Sequence, residues 1–137
     1  LKQVWAHTTY NGISYMKASA YANGKNNDAK GWLISPVIDL SKIKKATLTF
    51  KQVINAYFGK LEEEAMVYIK TEKGKWEPLK IGYPAKPEKG FTTFSTPGAT
   101  QRIDITKYAG NKIQVAFVYK GTSTTAGTWE IKDFTIE

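Results

Sequence analysis

Alternation of apolar and polar residues along short segments is the feature that most constrains how this chain can fold. It is clearest at residues 112–120, where Ile113, Val115, Phe117 and Tyr119 share one face of an extended strand. The same alternation occurs at residues 14–21, 46–52, 65–71 and 100–105, and shorter strands are predicted at residues 76–79 and 91–95. No segment longer than one turn has a helical period, and turn signals separate the strands. The pattern predicts an all-β fold, an antiparallel β-sandwich or a barrel.

Residues 31–41, Gly-Trp-Leu-Ile-Ser-Pro-Val-Ile-Asp-Leu-Ser, are the most informative single stretch. The run Trp-Leu-Ile has the composition of a strand that packs on a core. Pro36 has no N–H to donate, so the strand must end, kink or lie at an edge there. In the last strand, at residues 128–137, the apolar phase changes near Asp133, which predicts a β-bulge. The inward phases predict four aromatic core residues: Trp32, Phe50, Phe117 and Trp129.

The chain has 137 residues and no cysteine. This length predicts one domain, residues 1–137, with a core that needs no disulfides or thiolate metal sites. No apolar run approaches the roughly 18 residues that a membrane-spanning helix needs. Because the sequence begins at Leu1 without a methionine or a signal peptide, we expect it to be part of a longer protein.

The net charge of +8 raises the question of nucleic-acid binding. Among the 20 basic residues Arg102 is the sole arginine, whereas recognition of bases and phosphates favours the planar guanidinium. The lysines are scattered, and only Lys42, Lys44 and Lys45 form a local cluster. Scattered lysines are typical of a solvated surface with protected strand edges. A nucleic-acid partner is therefore not favoured.

Catalytic residues are sparse. His7 is the one histidine, so a Ser–His–Asp arrangement has a single candidate base, and it lies in the first predicted strand. Two-carboxylate glycoside hydrolysis needs facing carboxyl groups roughly 5–9.5 Å apart. The consecutive residues Glu62, Glu63 and Glu64 are better explained as a solvated charged run. We expect a protein without catalytic residues.

A polar loop at residues 22–30 is rich in Asn and Asp. These side chains bond their own backbone in loops, and this common role is the favoured explanation. Their oxygens could also bind a sugar or a hard cation.

Four stretches carry a family resemblance. They are Trp-Leu-Ile-Ser-Pro-Val-Ile-Asp-Leu-Ser at 32–41, Ala-Thr-Leu-Thr-Phe at 46–50, Ile-Asp-Ile-Thr-Lys-Tyr-Ala-Gly-Asn-Lys-Ile-Gln-Val-Ala-Phe at 103–117, and Gly-Thr-Trp-Glu-Ile-Lys-Asp-Phe at 127–134. In this order they resemble the jelly-roll modules of cleaved-adhesin and choice-of-anchor type, which are related in architecture to galactose-binding and MAM domains. Such modules occur in surface and secreted proteins, including lipoproteins, of Bacteroides-like bacteria. The resemblance implies a jelly-roll fold, an accessory role in adhesion or glycan binding, and an extracellular or outer-membrane location.

One departure from that family concerns calcium. Many such modules end in an Asp-Asp pair that helps to hold a structural calcium ion, and the pair aligns here with Lys132 and Asp133. Because a lysine ammonium disfavours a divalent cation beside it, we expect no metal and no other cofactor to be required.

Candidate ligand-binding residues come from the outward phases of the strands. Tyr68 points outward beside Lys70, and Lys51 and Gln114 have the corresponding phase on two other strands. If these strands are neighbours, they form a sheet face with an aromatic ring, ammonium groups and an amide, which suits a sugar. Trp76, in a predicted edge hairpin, is a further candidate. Ordinary cross-strand pairing is the alternative explanation for these residues.

Two functions therefore stay open from the sequence. One is a noncatalytic module that binds a glycan or another surface polymer. The other is a structural spacer or adhesin domain that contacts protein.

Overall fold

The computed structural model describes residues 4–55, 58–85 and 91–137. Residues 1–3, where the first strand is predicted to begin, and residues 56–57 and 86–90 of two predicted loops lie outside it. The described strands are β1 (Trp5–Tyr10), β2 (Ile13–Ser19), β3 (Tyr21–Ala22), β4 (Lys25–Asn26), β5 (Ala29–Ile34), β6 (Ile38–Asp39), β7 (Thr47–Asn55), β8 (Ala65–Thr71), β9 (Glu77–Leu79), β10 (Thr100–Asp104), β11 (Lys112–Gly121) and β12 (Thr128–Ile136). A one-turn helix α1 (Leu61–Glu64) precedes β8, and a 3₁₀ turn (Thr106–Tyr108) precedes β11.

Two antiparallel sheets pack against each other, so the predicted all-β sandwich is confirmed. Sheet 1 has the strand order β1-β2-β12-β7-β10. Sheet 2 has the order β5-β11-β8-β9, and β6 pairs with the first residues of β11. The strands β3 and β4 form a separate small hairpin. Among the described residues, no helix is long and apolar enough to cross a membrane.

The inner faces of the two sheets form one hydrophobic core. Phe50, Phe117 and Trp129 are buried in it, as the alternation predicts. The Phe117 ring contacts both others edge-on, with ring centroids 5.1 Å from Phe50 and 5.8 Å from Trp129. The core is therefore centred where β7 and β12 of sheet 1 face β11 of sheet 2.

A buried amide lies in this core and was not predicted. Gln52 has the inward phase of β7 and no exposed surface. Its Oε1 accepts a hydrogen bond of 2.9 Å from the Trp129 indole N–H, and its Nε2 donates one of 2.7 Å to the Gly82 carbonyl. Both polar ends of the side chain are thus paired, which offsets the cost of burying an amide.

The prediction that Trp32 belongs to the core is wrong. The side chain is 40% exposed and lies on the outer face of sheet 2, while Leu33 packs against the core. Three consecutive apolar residues do not define which of them points inward, because phase is set by alternation. Residue Lys30, which is exposed, has the same phase as Trp32 and would have indicated the outward orientation.

The predicted bulge is confirmed, and a tight turn joins the first two strands. Asn11 and Gly12 connect β1 to β2 with φ angles of 51° and 76°, the left-handed conformations of a two-residue hairpin turn. In β12 the register shifts between Lys132 and Thr135, and Asp133 has a φ of 53°. The extra residue turns the end of β12 so that Phe134 and Ile136 also pack on the core.

Two local predictions need correction. Residues 91–95 form no strand; Thr92 is held at the edge of β7 because its hydroxyl accepts a hydrogen bond from Ile54 N at 3.0 Å. Glu64 is not solvated but buried, and its carboxylate accepts hydrogen bonds from Lys60 N and, at 2.6 Å, from the Thr125 hydroxyl. A contact with distant β7 positions residues 91–95. The one-turn helix α1 and the distant Thr125 position Glu64.

Candidate functional site: an aromatic face on sheet 2

Three aromatic side chains meet on the outer face of sheet 2. Trp32 comes from β5, Tyr68 from β8, and Trp76 from the connection between β8 and β9. The Trp32 and Tyr68 rings stack with centroids 5.4 Å apart and planes at 29°. The Trp32 and Trp76 rings are 5.5 Å apart and tilted by 55°. We call these three residues the aromatic face.

Small side chains on the central strand allow these rings to meet. Strand β11 lies between β5 and β8, and its outward residues there are Ala116 and Val118. Val118 is paired with Trp32, and Ala116 with Tyr68. Neither Ala116 nor Val118 has exposed surface, because the larger side chains of the flanking strands cover them. The sheet thus supplies a rigid floor for the aromatic face.

Polar groups border the aromatic face on one side. The Lys70 ammonium lies 5.5 Å from the centroid of the Trp76 ring, within reach of a cation–π interaction. Gln114 is directly opposite Lys70 in the β8–β11 pair, and its amide donates a hydrogen bond of 3.1 Å to the Ser35 carbonyl. An ammonium and an amide are therefore close to exposed aromatic rings.

Four of the five residues predicted from the sequence come together here: Tyr68, Lys70, Gln114 and Trp76. Lys51 does not, because β7 belongs to sheet 1. Its ammonium lies 3.6 Å from the Asp133 carboxylate instead. Phase along a strand indicates which residues point outward, but strand order is set by pairing between distant segments. Trp32, which the sequence assigned to the core, is the central ring of the aromatic face.

The candidate catalytic groups do not form a relay. His7, Ser14 and Asp133 line the same cavity, of about 380 Å³, at one end of the sandwich. However, the Ser14 hydroxyl shares a hydrogen bond of 3.1 Å with Thr9, and the Asp133 carboxylate is paired with lysine. A nucleophile and its base need hydrogen-bond contact. No hydrogen bond within the described residues joins His7 to Ser14 or Asp133.

Two ammonium groups lie at Asp133, the position that aligns with the acidic pair of the resembled modules. The Asp133 carboxylate lies 3.6 Å from the Lys51 nitrogen and 3.9 Å from the Lys132 nitrogen. Within residues 4–55, 58–85 and 91–137, no three His, Cys, Asp or Glu side chains are grouped as a metal site. Independence from calcium stays a prediction, which a thermal melt can test.

Residues 22–30, predicted as one polar loop, contain part of the β3–β4 hairpin and the start of β5. The Asn27 amide donates hydrogen bonds of 3.0 Å and 3.1 Å to the carbonyls of Ala20 and Lys25. The Asp28 carboxylate accepts one of 2.9 Å from Ser123 N. The Asn27 bonds are the loop chemistry that the sequence favoured, whereas the Asp28 bond joins this segment to the connection between β11 and β12.

The chain matches no protein-family model. No curated protein matches it either. Its function is therefore inferred from the chemistry of its own surface.

Proposed function

We propose that this chain is a noncatalytic module that binds carbohydrate or a similar surface polymer through the aromatic face. The observation that supports it most is the contact of Trp32, Tyr68 and Trp76 on the outside of a sheet, where burial in the core does not explain them. Trp32 keeps 40% of its surface exposed. Contiguous exposed apolar surface of this kind marks interaction sites.

The chemistry of the aromatic face suits a sugar. A pyranose ring has apolar C–H faces, which stack on flat aromatic rings, and equatorial hydroxyl groups, which need polar partners at the edge. The Tyr68 hydroxyl and the Lys70 ammonium lie among or beside the rings and can supply such partners. Because Lys70 carries a positive charge, a uronic acid or a sulfated sugar should bind better than a neutral one.

The resemblance to jelly-roll surface modules supports the same proposal. It adds two expectations, jelly-roll connectivity of the sandwich and an extracellular or outer-membrane location. The proposed partner is a glycan or another surface polymer rather than nucleic acid, since the described surface has aromatic rings but a single arginine.

One observation favours the alternative, a spacer or adhesin domain that contacts protein. Ile34 lies on the same outer face of β5 as Trp32 and is 48% exposed. Branched aliphatic side chains contribute to protein interfaces but do not stack on sugars. The two proposals predict different effects of the same substitutions.

The test is a glycan array followed by titration calorimetry with the best acidic and neutral glycans. Trp32→Ala and Trp76→Ala should each weaken binding at least tenfold, the effect of losing roughly 1.4 kcal/mol. Tyr21→Ala is the matched control, because Tyr21 is a similarly exposed ring on the β3–β4 hairpin. Lys70→Ala should weaken only the binding of acidic glycans and should reduce its dependence on salt.

Two results would contradict the proposal. If the array shows no saturable binding, the protein-contact alternative is favoured. If binding disappears in salt but survives Trp32→Ala and Tyr68→Ala, the contact is electrostatic and the aromatic face is not the site.

A further inference from the structure

A groove lies on the outer face of sheet 1, on the opposite side of the molecule from the aromatic face. Its volume is about 540 Å³, within the roughly 300–1,000 Å³ of small-ligand pockets. The end of the β1–β2 hairpin borders it on one side and residues 91–95 on the other. Side chains of β7 and β12, including Val53 and Glu130, line it between these borders.

The segment at residues 91–95 is fixed to the sheet. The Thr92 side chain is buried, and its hydroxyl donates a hydrogen bond of 2.9 Å to the Ile54 carbonyl. Its backbone N–H donates another of 2.8 Å to the Asn55 side chain. The Phe94 ring packs on Tyr15 of the hairpin, with centroids 5.7 Å apart. The groove is therefore formed before any ligand binds, which lowers the entropic cost of binding.

Exposed rings border the groove. Tyr10, at the end of β1, is 67% exposed, and Phe91 is 74% exposed. Neither ring packs in the core, although each is large enough to have been buried at a gain of about 1.5–3 kcal/mol. Rings left in water on both sides of one groove are suited to hold a flat, partly apolar ligand between them.

Among the described residues, one carboxylate lines the groove. Glu130 is half-buried, and burial raises the pKa of its carboxyl group above the usual value, an effect that Lys17 partly opposes. Lys17 lies directly opposite Glu130 on β2. The other charged residue that the structure describes in the lining is Lys132, whose ammonium lies 3.9 Å from Asp133 and 4.8 Å from the centroid of the Phe94 ring. Glu130 and Lys132 thus each have a neighbour of opposite charge.

We propose that this groove is a second binding site and that it takes units of a neutral saccharide. Tyr10 and Phe91 stack on the faces of the sugar rings, and the Glu130 carboxylate accepts hydrogen bonds from sugar hydroxyl groups. Because Glu130 lies opposite Lys17 and Lys132 lies beside Asp133, these lining charges offer no excess attraction for an acidic sugar, in contrast to Lys70 beside the aromatic face. The proposal goes beyond the function of the aromatic face and is tested separately from it.

The experiment titrates the folded chain with cellohexaose, laminarihexaose and maltohexaose, observed through backbone amide NMR signals. At least one of these neutral probes should shift the signals of the hairpin end and of residues 91–95 at millimolar concentration. Tyr10→Ala and Glu130→Gln should each weaken that binding about tenfold, the effect of one lost charged hydrogen bond or stacking contact. Glu130→Gln keeps the size of the side chain, and its amide spectrum shows whether the fold is retained.

Trp32→Ala is the matched control, since it removes a ring from the aromatic face and leaves the groove intact. It should weaken binding at the aromatic face at least tenfold without changing the response of the groove. The inference is overturned if none of the three hexasaccharides shifts the groove signals, or if Tyr10→Ala and Glu130→Gln leave the affinity unchanged. Either result leaves the proposal for the aromatic face standing.

Discussion

At the residue scale, two tryptophans show how strand position sets the role of a side chain. Trp129 has no exposed surface, and its indole N–H is paired with Gln52 inside the core. Trp32 has the same chemistry, but it lies on the outside of an edge strand and stacks on Tyr68. One residue stabilises the sandwich, and the other is free to contact a ligand.

The two tryptophans should therefore differ in their effect on stability. Trp129→Ala should lower the free energy of unfolding by roughly 3–5 kcal/mol, because it leaves a large cavity. Trp32→Ala should cost about 1 kcal/mol, since half-exposed side chains contribute less. Urea denaturation of both variants measures the difference. A loss below about 1 kcal/mol for Trp129→Ala would show that the ring is not in the core.

At the scale of elements, the Tyr119 hydroxyl links the two sheets. It lies on β11 of sheet 2, donates a hydrogen bond of 2.7 Å to the Gly127 carbonyl, and accepts one of 2.9 Å from Ala20 N. The Gly127 carbonyl immediately precedes β12, and Ala20 follows β2, so both partners adjoin sheet 1. This buried hydroxyl, with two hydrogen-bond partners, fixes the position of one sheet against the other.

This link predicts that stability falls in alkali. Burial raises the pKa of Tyr119 from 10.0 to about 12. Between these values the unfolded chain has released the proton while the folded chain keeps it. The unfolded state then binds fewer protons, so the free energy of unfolding decreases as pH rises through this window. Urea denaturation at neutral pH and at successive values between pH 10 and about 12 measures the decrease.

Tyr119→Phe is the control for this pH dependence. It should cost about 1–3 kcal/mol at neutral pH, because a buried N–H and a buried carbonyl lose their partner. It should also weaken the alkaline decrease without removing it, since burial raises the pKa of Tyr83 to about 12 as well. An unchanged slope in the variant would mean that Tyr119 does not titrate as described.

Segments with strict alternation were predicted well at this scale. The inward residues of β7, β8 and β11 follow from alternation in which only one of the two faces is consistently apolar. The bulge in β12 follows from the point where that alternation shifts by one residue. Residues 91–95 were predicted less well. Their structure depends on hydrogen bonds between Thr92 and β7, 37 and 38 residues away in the chain. The pattern of neighbouring residues in the sequence does not indicate such distant contacts.

At the scale of the whole molecule, the sandwich presents two different surfaces on opposite sides. The aromatic face on sheet 2 has Lys70 beside its rings, and the groove on sheet 1 has Glu130 between its borders. The two outer faces point away from each other because the inner faces pack together. A module with two such sites could connect two glycan chains, which would raise the apparent affinity for a polymer above that of either site.

The whole-molecule stability should not depend on calcium. The ammonium groups of Lys51 and Lys132 lie 3.6 Å and 3.9 Å from the Asp133 carboxylate and disfavour a divalent cation there. The melting temperature should therefore be the same in calcium and in a chelator. A ligand at a hundredfold excess over its Kd adds about 2.7 kcal/mol, so a bound calcium would be visible. A clear decrease in the chelator would contradict the prediction.

The sequence by itself determined the segments that alternate strictly as strands, the residues of these long strands that point inward, and the bulge in the last strand. These features follow from local chemistry, namely the alternation of apolar and polar residues. It also placed Tyr68 and Lys70 on an outer face, because both lie on one clearly alternating strand.

Only the tertiary structure decided which strands are neighbours. Strand order separated Lys51 from Tyr68 and brought Trp32 across β11 to meet Tyr68 and Trp76. It also formed the groove from four segments distant in the chain: the β1–β2 hairpin, β7, residues 91–95 and β12. The physical reason is that the arrangement of strands depends on the total free energy of all strand pairs and of the core. The alternation along one strand shows only which of its residues lie on the same face.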